Sequence, residues 1–216
     1  MSRTRVKICG VTNVKDALVA AAAGADAVWM VLHAPGRSRE ISLDKGREIA
    51  MALPPFVTAV AVVVDLHPMR LRRLVSHVPV GLVQFHGSES KTDVLSAQPI
   101  RATKVVKGDS KLAEAIAKWE EANAWNLCGL VVDAPAGGGT GTPPDWDAVE
   151  RATRERPTRF PLTLAGGLTP ETVGDVVRRF RPWAVDVSSG VEGDAVGQKD
   201  DARIADFIAA VRAAEA

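Results

Sequence analysis

The sequence predicts an α/β fold in which eight strands and eight helices alternate and the strands close into a barrel. Three observations carry this reading. Short, Val-rich apolar runs recur at regular intervals, and several are continuous instead of alternating, as strands buried on both faces of a parallel sheet are. An amphipathic stretch of helical period separates each run from the next, which argues for right-handed β-α-β crossovers. Eight such units fill 216 residues with no long linker, the compact end of the size range of a (β/α)8 TIM barrel. The whole chain, 1–216, reads as one such domain. A doubly wound open sheet would carry a GxGxxG turn after its first strand, and "KICGVTN" has none.

The runs, in order, are "VKICG" (6–10), "DAVWMVL" (26–32), "VTAVAVVVD" (57–65), "GLVQFHG" (81–87), "ATKVVK" (102–107), "GLVVDA" (129–134), "PLTLAGG" (161–167) and "AVDVSSG" (184–190). The first is followed by "NVKDALVAAAAG", where Gly24 ends a helix as a C-cap glycine does. "DKGREIAMAL" and "MRLRRLVSHV" supply the next two helices. After the fourth run Ser90 stands three residues before Asp93, the capping-box spacing, ahead of "VLSA". "LAEAIAKWEEA" and "WDAVERATRE" follow the fifth and sixth runs. Thr169-Pro170 opens "ETVGDVVRRF" with an N-cap residue and proline in the first turn. "ARIADFIAAVRAA" closes the set.

Bulk properties exclude several function classes. A formal charge of +1 provides no field to recruit nucleic acid or an acidic membrane surface. No run approaches the roughly 20 apolar residues of a membrane span, and the first residues lack the apolar core of an export signal. A cytoplasmic protein is therefore expected. Cys9 and Cys128, far apart and without CxxC spacing, read as reduced thiols. Four histidines, His33, His67, His77 and His86, show no ligand spacing with acidic or thiol partners, so no metal is expected.

In a barrel the strands' C-terminal ends build the active site. Cys9 then stands at the end of the first strand, Gln84 and His86 at the fourth, and Asp133 at the sixth. Gly166-Gly167 end the seventh, and Asp186, Ser188, Ser189 and Gly190 the eighth. Loops after the seventh and eighth strands suit a phosphate, because small residues let backbone N–H groups point at an anion beside a helix N-terminus. Cys9 could be made a thiolate by nearby positive charge. Asp133, at the mouth, could act as a general acid if burial there raises its pKa. "APAGGGTGTPPDW" after Asp133 is a glycine-rich loop suited to close backbone approach to a ligand.

Taken together, "KICGVTNVKDA", "VQFHG", "VVDAPAGGGTG", "LAGGL", "DVSSGVE" and the trailing "KD" make the chain resemble the phosphoribosylanthranilate isomerases over essentially its whole length. The resemblance implies an Amadori rearrangement of N-(5-phosphoribosyl)anthranilate, a step of tryptophan biosynthesis that needs no metal or organic cofactor. It implies Asp133 as general acid and Cys9, as thiolate, as general base. It places Arg39 on the anthranilate carboxylate, with Arg37 a close rival, and Asp186 on the ribose. Gly166, Gly167, Ser189 and Gly190 would hold the phosphate, and the loop around Gly139, Thr140 and Gly141 would close over the substrate. The implied partner is a small phosphosugar, bound by a monomer or homodimer. Histidine-pathway isomerases are the related alternative, but they carry an aspartate where this chain has Cys9; a non-catalytic barrel would have no need for both Cys9 and Asp133. The chain departs from the family pattern at Trp29-Met30, where glycine and an aromatic are usual, at Glu40, and at Pro144, which replaces an aromatic.

Overall fold

The computed structural model describes residues 3–136, 141–155 and 158–215. Eight parallel strands, each followed by a helix, close into a barrel in sequence order. The strands are β1 (Arg5–Cys9), β2 (Ala27–His33), β3 (Thr58–Val63), β4 (Leu82–Phe85), β5 (Arg101–Lys107), β6 (Leu127–Asp133), β7 (Leu162–Leu164) and β8 (Ala184–Val187). The helices are α1 (Val14–Ala23), α2 (Leu43–Ala52), α3 (Pro68–His77), α4 (Lys91–Leu95), α5 (Leu112–Ala122), α6 (Trp146–Glu155), α7 (Pro170–Phe180) and α8 (Asp201–Glu215). A 3-10 turn, Ser189–Val191, lies between β8 and α8. β1 pairs with both β2 and β8, which closes the ring. The predicted α/β barrel is thus the observed one, with element ends shifted by a few residues. Among the described residues no helix is long and apolar enough to cross a membrane.

Strand alternation sorts the apolar residues into two cores. Val28, Met30, Val83, Phe85 and Leu130 face outward and pack with Ile49, Leu71, Leu74, Ile116 and Phe207 of the helices. Trp29, Val60, Val62, Val131 and Ala165 face inward and fill the barrel beneath its mouth. Val-rich runs suit this arrangement, since both faces of each strand are buried.

Local signals act where the sequence placed them. Gly24 adopts φ 101° and its N–H satisfies the last carbonyls of α1. Ser90 and Asp93 make the reciprocal capping-box bonds that start α4. Pro170 lies in the first turn of α7, after Thr169. At α6, Asp145 accepts from the N–H groups of Asp147 and Ala148 and caps the helix.

Candidate active site

A cavity of about 420 Å³ opens at the C-terminal ends of the strands. Cys9, Arg37, Arg39, Gln84, His86, Asp133, Gly141, Gly166, Gly167, Asp186, Ser188 and Ser189 all line it. The barrel therefore brings together nearly every described candidate. Gly190 is the exception: it does not line the cavity, and a Cβ there would overlap the carbonyl oxygen of Leu168. Glycine there lets the turn after β8 lie against the loop after β7. Gly139 and Thr140 lie outside the described residues.

Asp133, at the end of β6, is only 5 % exposed. Its Oδ1 accepts from the N–H of Ala134 at 2.8 Å, and its Oδ2 faces His86 Nε2 at 3.5 Å. Burial raises its carboxyl to about 6, against the opposing pull of the Ala134 bond and Lys7. Gly166, at φ 92°, fits here because a side chain would crowd Asp133 Oδ1, the Ala134 N–H and Pro144. His86 is held from below: the Gln84 amide donates to its Nδ1 at 3.3 Å, leaving the ring proton on Nε2, toward Asp133. Burial, with the positive charges of Lys7, Lys104 and Arg37, lowers His86 to about 4 and keeps it neutral.

Cys9 ends β1 on the same interior face as Lys7, two residues earlier. Lys7 is 3 % exposed, and its ammonium pairs with Asp186 of β8 and sits 2.8 Å from the centroid of the Trp29 ring. Trp29 thus fills the place of the family's small residue and roofs a buried cation. The sequence led us to expect a thiolate at Cys9. Lys7 and Lys199 do act in that direction, but burial outweighs them and, with the carboxylates of Asp186 and Asp133, pushes the thiol up to about 11. Burial likewise raises Asp186, whose Oδ1 has no hydrogen-bond partner although Oδ2 meets Lys7.

Beside Gly10, Arg39 donates from Nε and Nη2 to the two carboxylate oxygens of Glu192, each at 2.7 Å. Lys199 Nζ donates to Glu192 Oε1 and to the Ser188 carbonyl, both at 3.0 Å. Burial works to raise Glu192, but the bonds from Arg39 and Lys199 outweigh it and hold the carboxyl below its usual range. Arg37 is exposed and makes no ion pair among the described residues.

Pro144 now has a physical account. It lies against Gly108 and Gly166, close enough that a Cβ on either glycine would crowd its ring. Asp145 N–H bonds to the Gly108 carbonyl at 2.9 Å, and Gly108 N–H to that of Asp133 at 2.8 Å. The far end of the β6–α6 loop is thereby pinned beside the strand that carries the acid.

Sequence reasoning gave no role to Lys7, His86, Glu192 or Lys199. Lys7 was within reach, since a residue two before Cys9 shares its face. Arg39 and Glu192 are 153 positions apart, and no spacing rule joins them. Cys128 lies on β6, half-buried, with its thiol against the Ala102 carbonyl at 3.2 Å, away from the cavity. Among the described residues no group of three or more His, Cys, Asp or Glu side chains is arranged to hold a metal ion.

The model of the N-(5'-phosphoribosyl)anthranilate (PRA) isomerase family matches residues 6–210. The chain belongs to the phosphoribosylanthranilate isomerase family. An N-(5'-phosphoribosyl)anthranilate isomerase of Pseudomonas aeruginosa (strain LESB58) is 43 % identical over 216 residues, covering 98 % of this chain and 97 % of that protein. One from Thiobacillus denitrificans is 41 % identical over 213 residues, covering 97 % and 98 %. The Thermotoga maritima phosphoribosyl anthranilate isomerase structure superposes with a TM-score of 0.85 at 37 % identity, covering 97 % of this chain and 99 % of that one. A structure of such an isomerase in complex with reduced 1-(o-carboxyphenylamino)-1-deoxyribulose 5-phosphate has a TM-score of 0.83 at 34 % identity, with the same coverage. Within phosphoribosylanthranilate isomerases, a barrel mouth carrying a thiol, a buried carboxyl and two glycine-lined loops is thus set against relatives of matching length and fold.

Proposed function

We propose that this chain converts N-(5-phosphoribosyl)anthranilate to 1-(2-carboxyphenylamino)-1-deoxyribulose 5-phosphate, the Amadori step of tryptophan biosynthesis. The observation that carries the reading is that Cys9 and Asp133, from different strands, face one cavity that Arg39 and the loops after β7 and β8 also line. Membership of the family and the product-like ligand of the solved relative support it.

In this reading the loops of Gly166, Gly167 and Ser189 take the phosphate, using backbone N–H groups at the start of α7 and of the 3-10 turn. Gly190 belongs to the same loops and sets their spacing, and Gly141 lines the cavity beside them. Arg39 takes the anthranilate carboxylate, and the unpaired Asp186 Oδ1 accepts from a ribose hydroxyl. Asp133 gives its proton to the ring oxygen as the C1′–O bond breaks, leaving an iminium at C1′. His86 Nε2–H then faces the carboxylate that forms. Cys9 thiolate takes the C2′ proton, the electron pair forms the C1′–C2′ double bond, and the enolamine tautomerises to the ketose. The chemistry asks nothing of a metal or organic cofactor. The chain works as a monomer or homodimer; a Thermotoga maritima relative is described as dimeric.

The test is turnover, followed by loss of the substrate's fluorescence. Cys9→Ala and Asp133→Asn are each expected to lower kcat by at least ~100-fold, the usual scale for removing an acid or base. A wild-type protein that leaves phosphoribosylanthranilate unchanged overturns the proposal.

A further inference from the structure

The motif residues Glu192 and Lys199 have no part in the reaction just described, yet they are among the most buried charges of the chain. The Glu192 side chain is 7 % exposed and that of Lys199 not at all. They bridge the strands of the β8–α8 connection, where Gly193 N–H bonds to the Gln198 carbonyl and Asp200 N–H to that of Val191, each at 3.0 Å. The Lys199 N–H is itself held by Asp16 of α1 at 2.9 Å. Burying ions costs energy unless geometry and hydrogen bonds compensate, so a rigid arrangement here has a use to be found.

The use lies in which edge of Arg39 is taken. A guanidinium has five N–H donors in a fixed plane, forming one fork from Nε with an Nη and a second from the two Nη atoms. Glu192 fills the first fork with two bonds of 2.7 Å. Three donors remain without a partner among the described residues, including the complete Nη1/Nη2 fork, on a side chain that lines the cavity. The stem of Arg39 runs over Gly10, where a Cβ would come within 2.6 Å of Arg39 Cδ, so it has little room to swing. Two cations and one carboxylate leave the cluster with net positive charge, so Glu192 orients Arg39 without cancelling its attraction for an anion. Lys199 extends the same network to the Ser188 carbonyl, next to Ser189 of the phosphate loop.

We propose that Glu192, braced by Lys199, is a positioning residue that presents the free fork of Arg39 to the carboxylate of the substrate's aromatic ring. The proposal rests on the isomerase reading above and assigns Glu192 a role in carboxylate recognition, without contact with the reacting atoms. Arg37, which also lines the cavity, adds charge but has no such brace among the described residues.

The experiment compares two ligands on wild type and Glu192→Gln: reduced 1-(o-carboxyphenylamino)-1-deoxyribulose 5-phosphate, and its counterpart made from aniline, which lacks the carboxylate. Calorimetric Kd values are measured for both, with kcat, KM and inhibition by inorganic phosphate. Glu192→Gln is expected to weaken the carboxylate-bearing ligand and raise KM by about tenfold, the scale of one charge-assisted hydrogen bond. Binding of the aniline ligand and of phosphate stays within about twofold and kcat within about threefold, because neither involves that fork. Equal losses for both ligands, or no loss for either, overturn the proposal. If Glu192→Gln fails to fold, Glu192→Asp, which keeps the charge but shortens the reach by one carbon, is judged by the same ratio. Wild-type protein that neither turns over phosphoribosylanthranilate nor binds either ligand brings down the isomerase reading itself, a result distinct from a failure of the Glu192 variants.

Discussion

Asp133 and Cys9 share one cavity but are pushed in a direction that complicates the roles proposed for them. With Asp133 at about 6 and Cys9 at about 11, the resting pair at neutral pH carries its single proton on sulfur. The reactive form has that proton on the carboxyl and a thiolate beside it. Both forms contain one proton, so their ratio does not change with pH, and the two groups titrate as a pair. Below about 6 both groups are protonated and the base is lost; above about 11 both are ionised and the acid is lost. The expected profile of kcat/KM therefore rises with pH through about 6 and stays level to at least pH 9. A steady fall between pH 6 and 8 would mean that Cys9 is already ionised in the free enzyme. The positions of Cys9 and Asp133 were legible in the sequence, because each ends an apolar run that becomes a barrel strand. Their ionisation was not, because it depends on burial and on Lys7, Asp186 and Lys199, which arrive from other strands and loops.

Among the elements, strands and helix starts were the most legible part of the chain. A strand buried on both faces needs a continuous apolar run, and Ser90 or Thr169 announces a helix by chemistry contained within four residues. Contacts between loops were less so. Gly190 was read as a phosphate ligand from its position alone, and the steric need for glycine there, set by the Leu168 carbonyl of the neighbouring loop, is seen only in the fold. Gly190→Ala is accordingly expected to separate the two loops. Inorganic phosphate should then inhibit at least ~10-fold more weakly, and stability should fall by about 1–3 kcal/mol, the usual cost of overpacking. Inhibition titrations and urea unfolding measure the two effects; unchanged values for both would show that the loops move apart without cost. Pro144 teaches the same lesson, since its partners Gly108 and Gly166 belong to the connections after β5 and β7.

At the scale of the whole molecule, the closed barrel and its count of units follow from the rhythm of the runs, but the division into two cores depends on which alternate residues point inward. Trp29 shows what that division means energetically. Among the described residues its fellow buried apolar members of that core are Val60, Val62, Val131 and Ala165, all much smaller. Trp29→Ala should cost about 3–5 kcal/mol through the cavity it leaves, and lower Tm by about 6–20 °C for a domain of this size. Thermal unfolding followed by circular dichroism checks this; a shift under 3 °C would mean that the barrel collapses to fill the space. The same packing has a kinetic corollary. With Trp29 3 %, Val60 0 % and Val131 1 % exposed beneath the cavity, the barrel is plugged from below. The site is a blind alley with one door: product must back out along the path by which substrate came in, and until it has left, the next substrate waits outside.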